Sequence, residues 1–146
     1  MLYFKNPPAV TVRNLPSNDP VTEPEMENGH AKLDAQNRPI MKPMEPWKAY
    51  SFLARYIFGD EKIPKGEKGA RAVRRLTRAL RKAGDNEIVQ LDNADVEVVR
   101  NVLKDPAANW PQVICCQFEN VYIAFEKASE KKEDVDAIVY DTDTWD

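Results

Sequence analysis

Prolines crowd the first third of the chain: eight of the eleven lie within residues 1–46 of a 146-residue sequence. Each proline fixes φ and removes a backbone donor, so neither a long helix nor a central strand can run through this region. Apart from the run Leu2-Tyr3-Phe4, its large apolar residues are also scattered singly. We therefore predict that residues 1–46 form an extended arm, which becomes ordered only on the surface of a partner.

Four apolar side chains of this arm are candidates for binding a neighbouring subunit: Tyr3, Phe4, Val10 and Val12. The alternation of apolar and polar residues at 9–13 predicts one short strand that adds to a partner. An arm of this kind resembles the extended arms of virion subunits, which lace neighbouring subunits together. We therefore expect other protein subunits as partners, in an oligomer or a larger assembly.

From residue 47 onward, the apolar spacing predicts four helices, at 47–58, 67–83, 92–104 and 110–131. Gly84 is a stop signal after the second helix, and Asp92 is a candidate N-cap for the third. Residues 88–91 are predicted to be extended, and residues 137–140 give a weak strand signal. The predicted fold is mainly α: a small four-helix core with an extended proline-rich N-terminal arm, an acidic C-terminal tail and at most one or two short strands.

This pattern divides the chain into an arm (1–46), a helical core domain (47–132) and an acidic tail (133–146). Charge is divided as sharply, although the formal net charge is only −3. Residues 1–46 carry five Lys/Arg against six Asp/Glu, residues 47–84 carry eleven against three, and residues 85–146 carry five against fifteen. Such asymmetry within one chain is informative about partners rather than about the fold.

The positive charge is concentrated on the second predicted helix, where a basic face is formed by Arg71, Arg74, Arg75, Arg78 and Lys82. One interpretation is a helix at 70–83 that binds nucleic-acid phosphates. No aromatic residue interleaves with the arginines, so base stacking is not provided, and the acidic half of the chain repels a polyanion. The alternatives are charge matching by the acidic half of the same or a neighbouring copy, and a solvated face.

The acidic tail contains two aromatic side chains, Tyr140 and Trp145. Tyrosine and tryptophan are frequent anchors of protein interfaces, so the tail is a candidate to dock into a basic groove. The alternative is a frayed, solubilising terminus.

Several function classes are disfavoured by composition. No run approaches the roughly 18 apolar residues of a membrane span, and the first eight residues lack the regions of a signal peptide. The adjacent pair Cys115 and Cys116 predicts a reducing compartment and a role as small buried filler. His30 is the single histidine, so neither a metal cluster nor a nucleophile with its base is indicated. We expect no enzymatic activity and no cofactor.

The order of segments carries a second resemblance. An aromatic-rich helix, a basic helix, the segment Ile88-Val89-Gln90-Leu91-Asp92-Asn93-Ala94-Asp95-Val96 and a helix opening at Trp110-Pro111 follow one another. Residues 47–128 thereby resemble small helical accessory proteins of tailed bacteriophages. The resemblance implies a non-enzymatic viral structural or assembly protein, in the virion or the host cytoplasm. The alternative is a small nucleic-acid-binding or host-factor regulator, and an inhibitor of a host enzyme is not distinguished from either.

Overall fold

The computed structural model describes residues 1–14, 17, 19–104, 113–114 and 117–142. The helices are α1 (Ala49–Phe52), which continues as a π-helical segment (Leu53–Ile57), α2 (Glu67–Arg81), α3 (Asn93–Leu103), α4 (Gln117–Lys127) and α5 (Lys132–Asp136). The strands are β1 (Leu2–Lys5), β2 (Arg13–Asn14), β3 (Thr22–Pro24), β4 (Met26–Glu27), β5 (His30–Ala31), β6 (Met41–Pro43), β7 (Ile88–Leu91) and β8 (Val113–Ile114). They pair antiparallel as β1 with β7, β2 with β8, β3 with β6, and β4 with β5.

The prediction of a mainly α fold with an extended arm and at most one or two strands is wrong. The proline-rich region contributes six of the strands just named. Proline is excluded from central strands because it has no N–H group to donate to a neighbouring strand. Each of these sheets has only two strands, so every strand is an edge strand. An edge strand can carry a proline at a position whose N–H would point away from its partner strand. Pro24 pairs with Met41, and Pro43 pairs with Thr22. Among the described strands only β3 and β6 contain proline, so the described prolines of this region lie at strand ends or between strands and do not prevent the sheets from forming.

The first strand is built into the core. Phe4 is fully buried, and its ring centroid lies 4.8 Å from that of Phe125 on α4. The Tyr3 amide donates to the Ser129 carbonyl (2.7 Å), and the Ser129 amide donates back to the Tyr3 carbonyl (3.2 Å). Strand β1 thus lies between β7 and the end of α4, which buries its one large inward side chain.

Residues 8–12 continue this attachment. Val10 and Val12 are buried, and Val10 exchanges two backbone hydrogen bonds with Trp47 (3.0 and 2.8 Å). The side-chain Nε2 of the buried Gln117 donates to the backbone carbonyls of Pro8 and Trp47, both at 2.9 Å. These bonds fasten the N-terminal segment to the start of the helical region.

The helical predictions agree better with the structure. Helix α2 begins at the predicted residue, and the Asp92 carboxylate accepts from the Ala94 amide (2.8 Å) as the N-cap of α3. The fourth helix was predicted over residues 110–131, and this prediction is too long: Val113–Ile114 form strand β8, and α4 spans only Gln117–Lys127. Its predicted start at Trp110-Pro111 lies outside the described residues. Residues 138–140, where a strand was predicted, follow α5 with no strand assignment.

Most of the helices, with β1 and β7, supply one hydrophobic cluster. Its largest fully buried apolar members are Phe4, Val12, Phe52, Leu53, Ile57, Leu76, Leu80, Val96, Val99 and Phe125. Gly69 allows the loop before α2 to lie against the helix, since a Cβ at this position would be 1.7 Å from the Pro64 carbonyl oxygen.

Residues 22–43 form a three-way strand junction, here called the β-junction. Its three limbs are closed by the pairs Pro24–Met41, Met26–Ala31 and Leu33–Pro39. At its centre the Glu25 amide donates to the Ile40 carbonyl (2.7 Å), Ile40 to Lys32 (2.8 Å) and Lys32 to Glu25 (2.8 Å), which closes a ring of three hydrogen bonds. None of residues 19–46 is buried. The β-junction therefore lies at the surface and adds little to the core.

Candidate nucleic-acid interface

Helix α2 is strongly two-sided. Gly69, Ala72, Leu76 and Leu80 are buried against the rest of the domain. With 3.6 residues per turn, the cations at 68, 71, 74, 75, 78, 81 and 82 fall on an arc of about 140° centred opposite that buried stripe. All seven are exposed. Along the helix axis they span about 21 Å. The predicted basic face is therefore at the surface, and Lys68 and Arg81, which the sequence places beside it, lie on the same arc.

Arg75 differs from its neighbours because it holds a partner. Its Nε and one terminal nitrogen donate to the two carboxylate oxygens of Asp95, both at 2.8 Å. Asp95 is 2% exposed, in the first turn of α3. The hydrogen bond and the attraction of this carboxylate raise the pKa of Arg75 above its ordinary value. Arg75 thus compensates a buried charge and joins α2 to α3, a role that sequence spacing does not indicate.

Arg71 is paired within its own helix, with Glu67 one turn earlier. Both side chains are largely exposed, so this pair adds little to stability. Charge matching by the acidic half of the same chain, one of the three interpretations of the basic face, is thus observed for Arg75, whose partner is Asp95. The partner of Arg71 belongs to the basic segment itself.

The other cations of the arc form no ion pair with any residue that the structure describes. These unpaired cations are Lys68, Arg74, Arg78, Arg81 and Lys82. No large apolar side chain lies among them on the arc. Protein interfaces usually carry an apolar centre depleted of charge, whereas a row of guanidinium groups matches the repeated anions of a phosphodiester backbone. The five unpaired cations are therefore exposed and free of ion pairs with the described residues, so they are accessible to an anion.

The residues predicted to bind a neighbouring subunit are placed differently. Phe4, Val10 and Val12 are between 0% and 2% exposed within this chain, and Tyr3 is half-buried. Their apolar surface is already used by the domain core. Assembly with other subunits stays a prediction, but these side chains do not offer a free surface for it.

Tyr140 of the acidic tail also contacts its own chain. Its hydroxyl donates to the Lys5 carbonyl (2.7 Å), and the Lys5 ammonium donates to the carbonyls of Asp136 and Ile138 (3.1 and 2.6 Å). These hydrogen bonds hold strand β1, near one end of the described chain, against residues 136–140, near the other end. Trp145, the other predicted anchor, lies outside the described residues.

Burial of Tyr140 leads to a prediction for alkaline pH. The pKa of its phenol is raised well above the usual value of 10.0 because burial disfavours the phenolate. Its contribution to stability is complete below pH 10 and is lost as the pH rises through the raised pKa, because the unfolded chain releases this proton first. We expect the free energy of unfolding to fall between about pH 10 and pH 11.5, and to fall less steeply in Tyr140→Phe. Denaturant titrations at several pH values measure both slopes; equal slopes would show that the phenol ionises normally.

The described residues offer few side chains for metal binding or for catalysis. Among the described residues, no three His, Cys, Asp or Glu side chains converge to hold a metal ion. His30 is exposed on β5, and the predicted buried pair Cys115 and Cys116 lies outside the described part of the chain. None of the described helices has the length and apolarity needed to cross a bilayer.

The observed elements define a small α+β domain with a basic helix on its surface. Comparisons with protein-family models, with curated proteins and with solved structures found no match.

Proposed function

We propose that this chain binds the phosphate backbone of nucleic acid through the unpaired cations of α2. The observation that carries the proposal is that five exposed cations lie on one arc of one helix without an ion pair among the described residues. Their charge is uncompensated locally, so an approaching polyanion can release counterions and gain charge-assisted hydrogen bonds. The acidic residues beyond position 85 restrict the contact to this arc, because they repel phosphates elsewhere.

The resemblance of residues 47–128 to accessory proteins of tailed bacteriophages implies a non-enzymatic viral protein, and the basic arc adds nucleic acid as its partner. We propose a phage-encoded, non-enzymatic protein that acts on nucleic acid in the virion or in the host cytoplasm. The lack of aromatic side chains on the arc supports binding that does not depend on base sequence.

Salt dependence tests the proposal directly. If all five unpaired cations contact phosphates, the logarithm of the association constant for a duplex falls against the logarithm of salt concentration with a slope of about −4.5. The double variant Arg74→Glu/Arg78→Glu is expected to reduce that slope by about 2 and to weaken binding at least about tenfold at low salt. Fluorescence anisotropy of a labelled 20-base-pair duplex, from about 50 to about 200 mM salt, measures both quantities.

A matched control changes the net charge equally on another element. Lys131→Glu/Lys132→Glu replaces two exposed lysines at the start of α5, and we expect it to bind like the wild type. Absence of duplex binding by the wild type at the lowest salt would overturn the proposal. Equal losses in both double variants would overturn it too, since only net charge would then matter.

A second candidate function, a structural or assembly subunit of a phage particle, has a different observation in its favour. Three of the large apolar side chains exposed among the described residues, Met26, Leu33 and Met41, belong to the β-junction. A group of exposed apolar side chains is typical of an interaction surface, whereas single exposed apolar residues occur on most protein surfaces.

A further inference from the structure

The strand register places one set of β-junction side chains on a common face. Directly paired residues of antiparallel strands lie on the same side of a sheet, and so do residues two apart in one strand. The three pairs that close the limbs are linked by such two-residue steps. One further step of the same kind reaches the pair Thr22–Pro43. The junction face, defined in this way, consists of Thr22, Pro24, Met26, Ala31, Leu33, Pro39, Met41 and Pro43.

Apart from Thr22 at one end, the junction face is apolar, and it is open to solvent. Met26 is 58% exposed, and Leu33 and Met41 are each 51% exposed. Pro24 and Pro39 are also exposed. No segment of the described chain covers these side chains. Exposure of an apolar sheet face to water is unfavourable in free energy, so covering it with another surface is stabilising.

The charged residues of the β-junction point the other way. Glu25 and Lys32 lie one residue away from face members in their strands, and therefore on the opposite side. Elsewhere the chain is strongly charged, with a basic segment at 47–84 and an acidic one at 85–146. In a two-fold contact a surface meets its own copy, so a contact centred on the basic arc of α2 would bring like charges together. The junction face is a place where two copies can meet without that penalty.

We propose that the junction face is the contact between two copies of this chain, packed face to face about a two-fold axis. A two-fold contact requires a surface that is complementary to itself, and an uncharged apolar face meets this requirement. The exposed area is on the order of 500 Å² per copy, which is typical of a functional patch. Two copies together bury about 1,000 Å², at the lower limit for a specific interface, so the dimer is weak and its dissociation constant lies in the micromolar range.

Self-association through the junction face is independent of nucleic-acid binding, and either property can fail without the other. A second copy of this chain is thereby proposed as one partner in the assembly that the sequence predicts. The proposed contact lies at the β-junction and not at the buried side chains of the first strand.

The methionines provide a test on the unmodified chain. Its four methionines are Met1, Met26, Met41 and Met44. Met26 and Met41 belong to the junction face, Met1 is 66% exposed outside it, and Met44 is half-buried. With ¹³C-methyl-labelled methionine, we expect the Met26 and Met41 signals to shift as the protein concentration rises from about 1 to about 500 µM, while those of Met1 and Met44 stay constant.

Sedimentation velocity over the same range gives the mass. We expect the wild type to approach twice the monomer mass, and Leu33→Lys/Met41→Lys to raise the dissociation constant at least about 100-fold. Val139→Lys is the control, because Val139 is 91% exposed and lies outside the face. A wild type that stays monomeric, including one whose own terminal residues cover the face, overturns the proposal. A double variant that dimerises like Val139→Lys also overturns it, because the contact would then lie elsewhere.

Discussion

Phe4→Ala is expected to lower the free energy of unfolding by about 3–5 kcal/mol, the range for removing a buried aromatic side chain. Phe4 is fully buried, and its ring packs against Phe125. The strand that carries it is held by β7 on one side and by the backbone of Ser129 on the other. The surrounding residues could fill the space of the missing ring only by disturbing both contacts. We therefore expect part of this space to remain as a cavity.

Urea denaturation followed by circular dichroism measures this change, with Val139→Ala as the control. Val139 is 91% exposed, so its truncation is expected to change stability by no more than about 0.5 kcal/mol. If Phe4→Ala leaves too little folded protein, Phe4→Leu retains most of the volume and is expected to cost roughly 1–2 kcal/mol. Equal stability of Phe4→Ala and Val139→Ala would show that the first strand is a detachable arm after all.

Gly69→Ala is expected to destabilise the domain by about 2 kcal/mol or more, although alanine is the better helix former by about 1 kcal/mol. Gly69 lies inside α2, where propensity alone predicts a gain. The added Cβ, however, would be 1.7 Å from the Pro64 carbonyl oxygen and 2.8 Å from its carbon. Both atoms belong to the backbone, so the whole loop before α2 must move away, and the clash outweighs the gain in propensity.

Gly59→Ala is the matched substitution, since a Cβ there meets no atom within 4 Å and the φ angle is ordinary. We expect it to be neutral or to stabilise by a few tenths of a kcal/mol, because alanine restricts the unfolded chain. Thermal or urea unfolding of the two variants side by side measures the difference. A stabilised Gly69→Ala would mean that the loop does not pack against α2.

The β-junction shows what a local pattern does and does not predict. The dipeptide Asn28-Gly29, in which both residues have positive φ, is the turn between β4 and β5 and a recognised hairpin signal. Alternation in the flanking residues predicts strands with one apolar side. Neither feature predicts the pair Leu33–Pro39, which closes the third limb, because this pair forms only when all three limbs are joined at their centre. The exposed apolar face exists only once the limbs are joined in this way.

Features set within one or two turns of chain were predictable from the sequence. The limits of α2, its basic arc and the Asp92 cap depend on residues three or four apart, whose relative positions a helix dictates by itself. Features that join distant segments were decided by the tertiary structure. Strand β1 pairs with β7 across more than eighty residues, Asp95 neutralises Arg75 from another helix, and the apolar residues near the N-terminus find their burial in the core. Composition shows that a segment is rich in proline and poor in apolar residues, but the packing of the whole chain determines which few of those residues are buried.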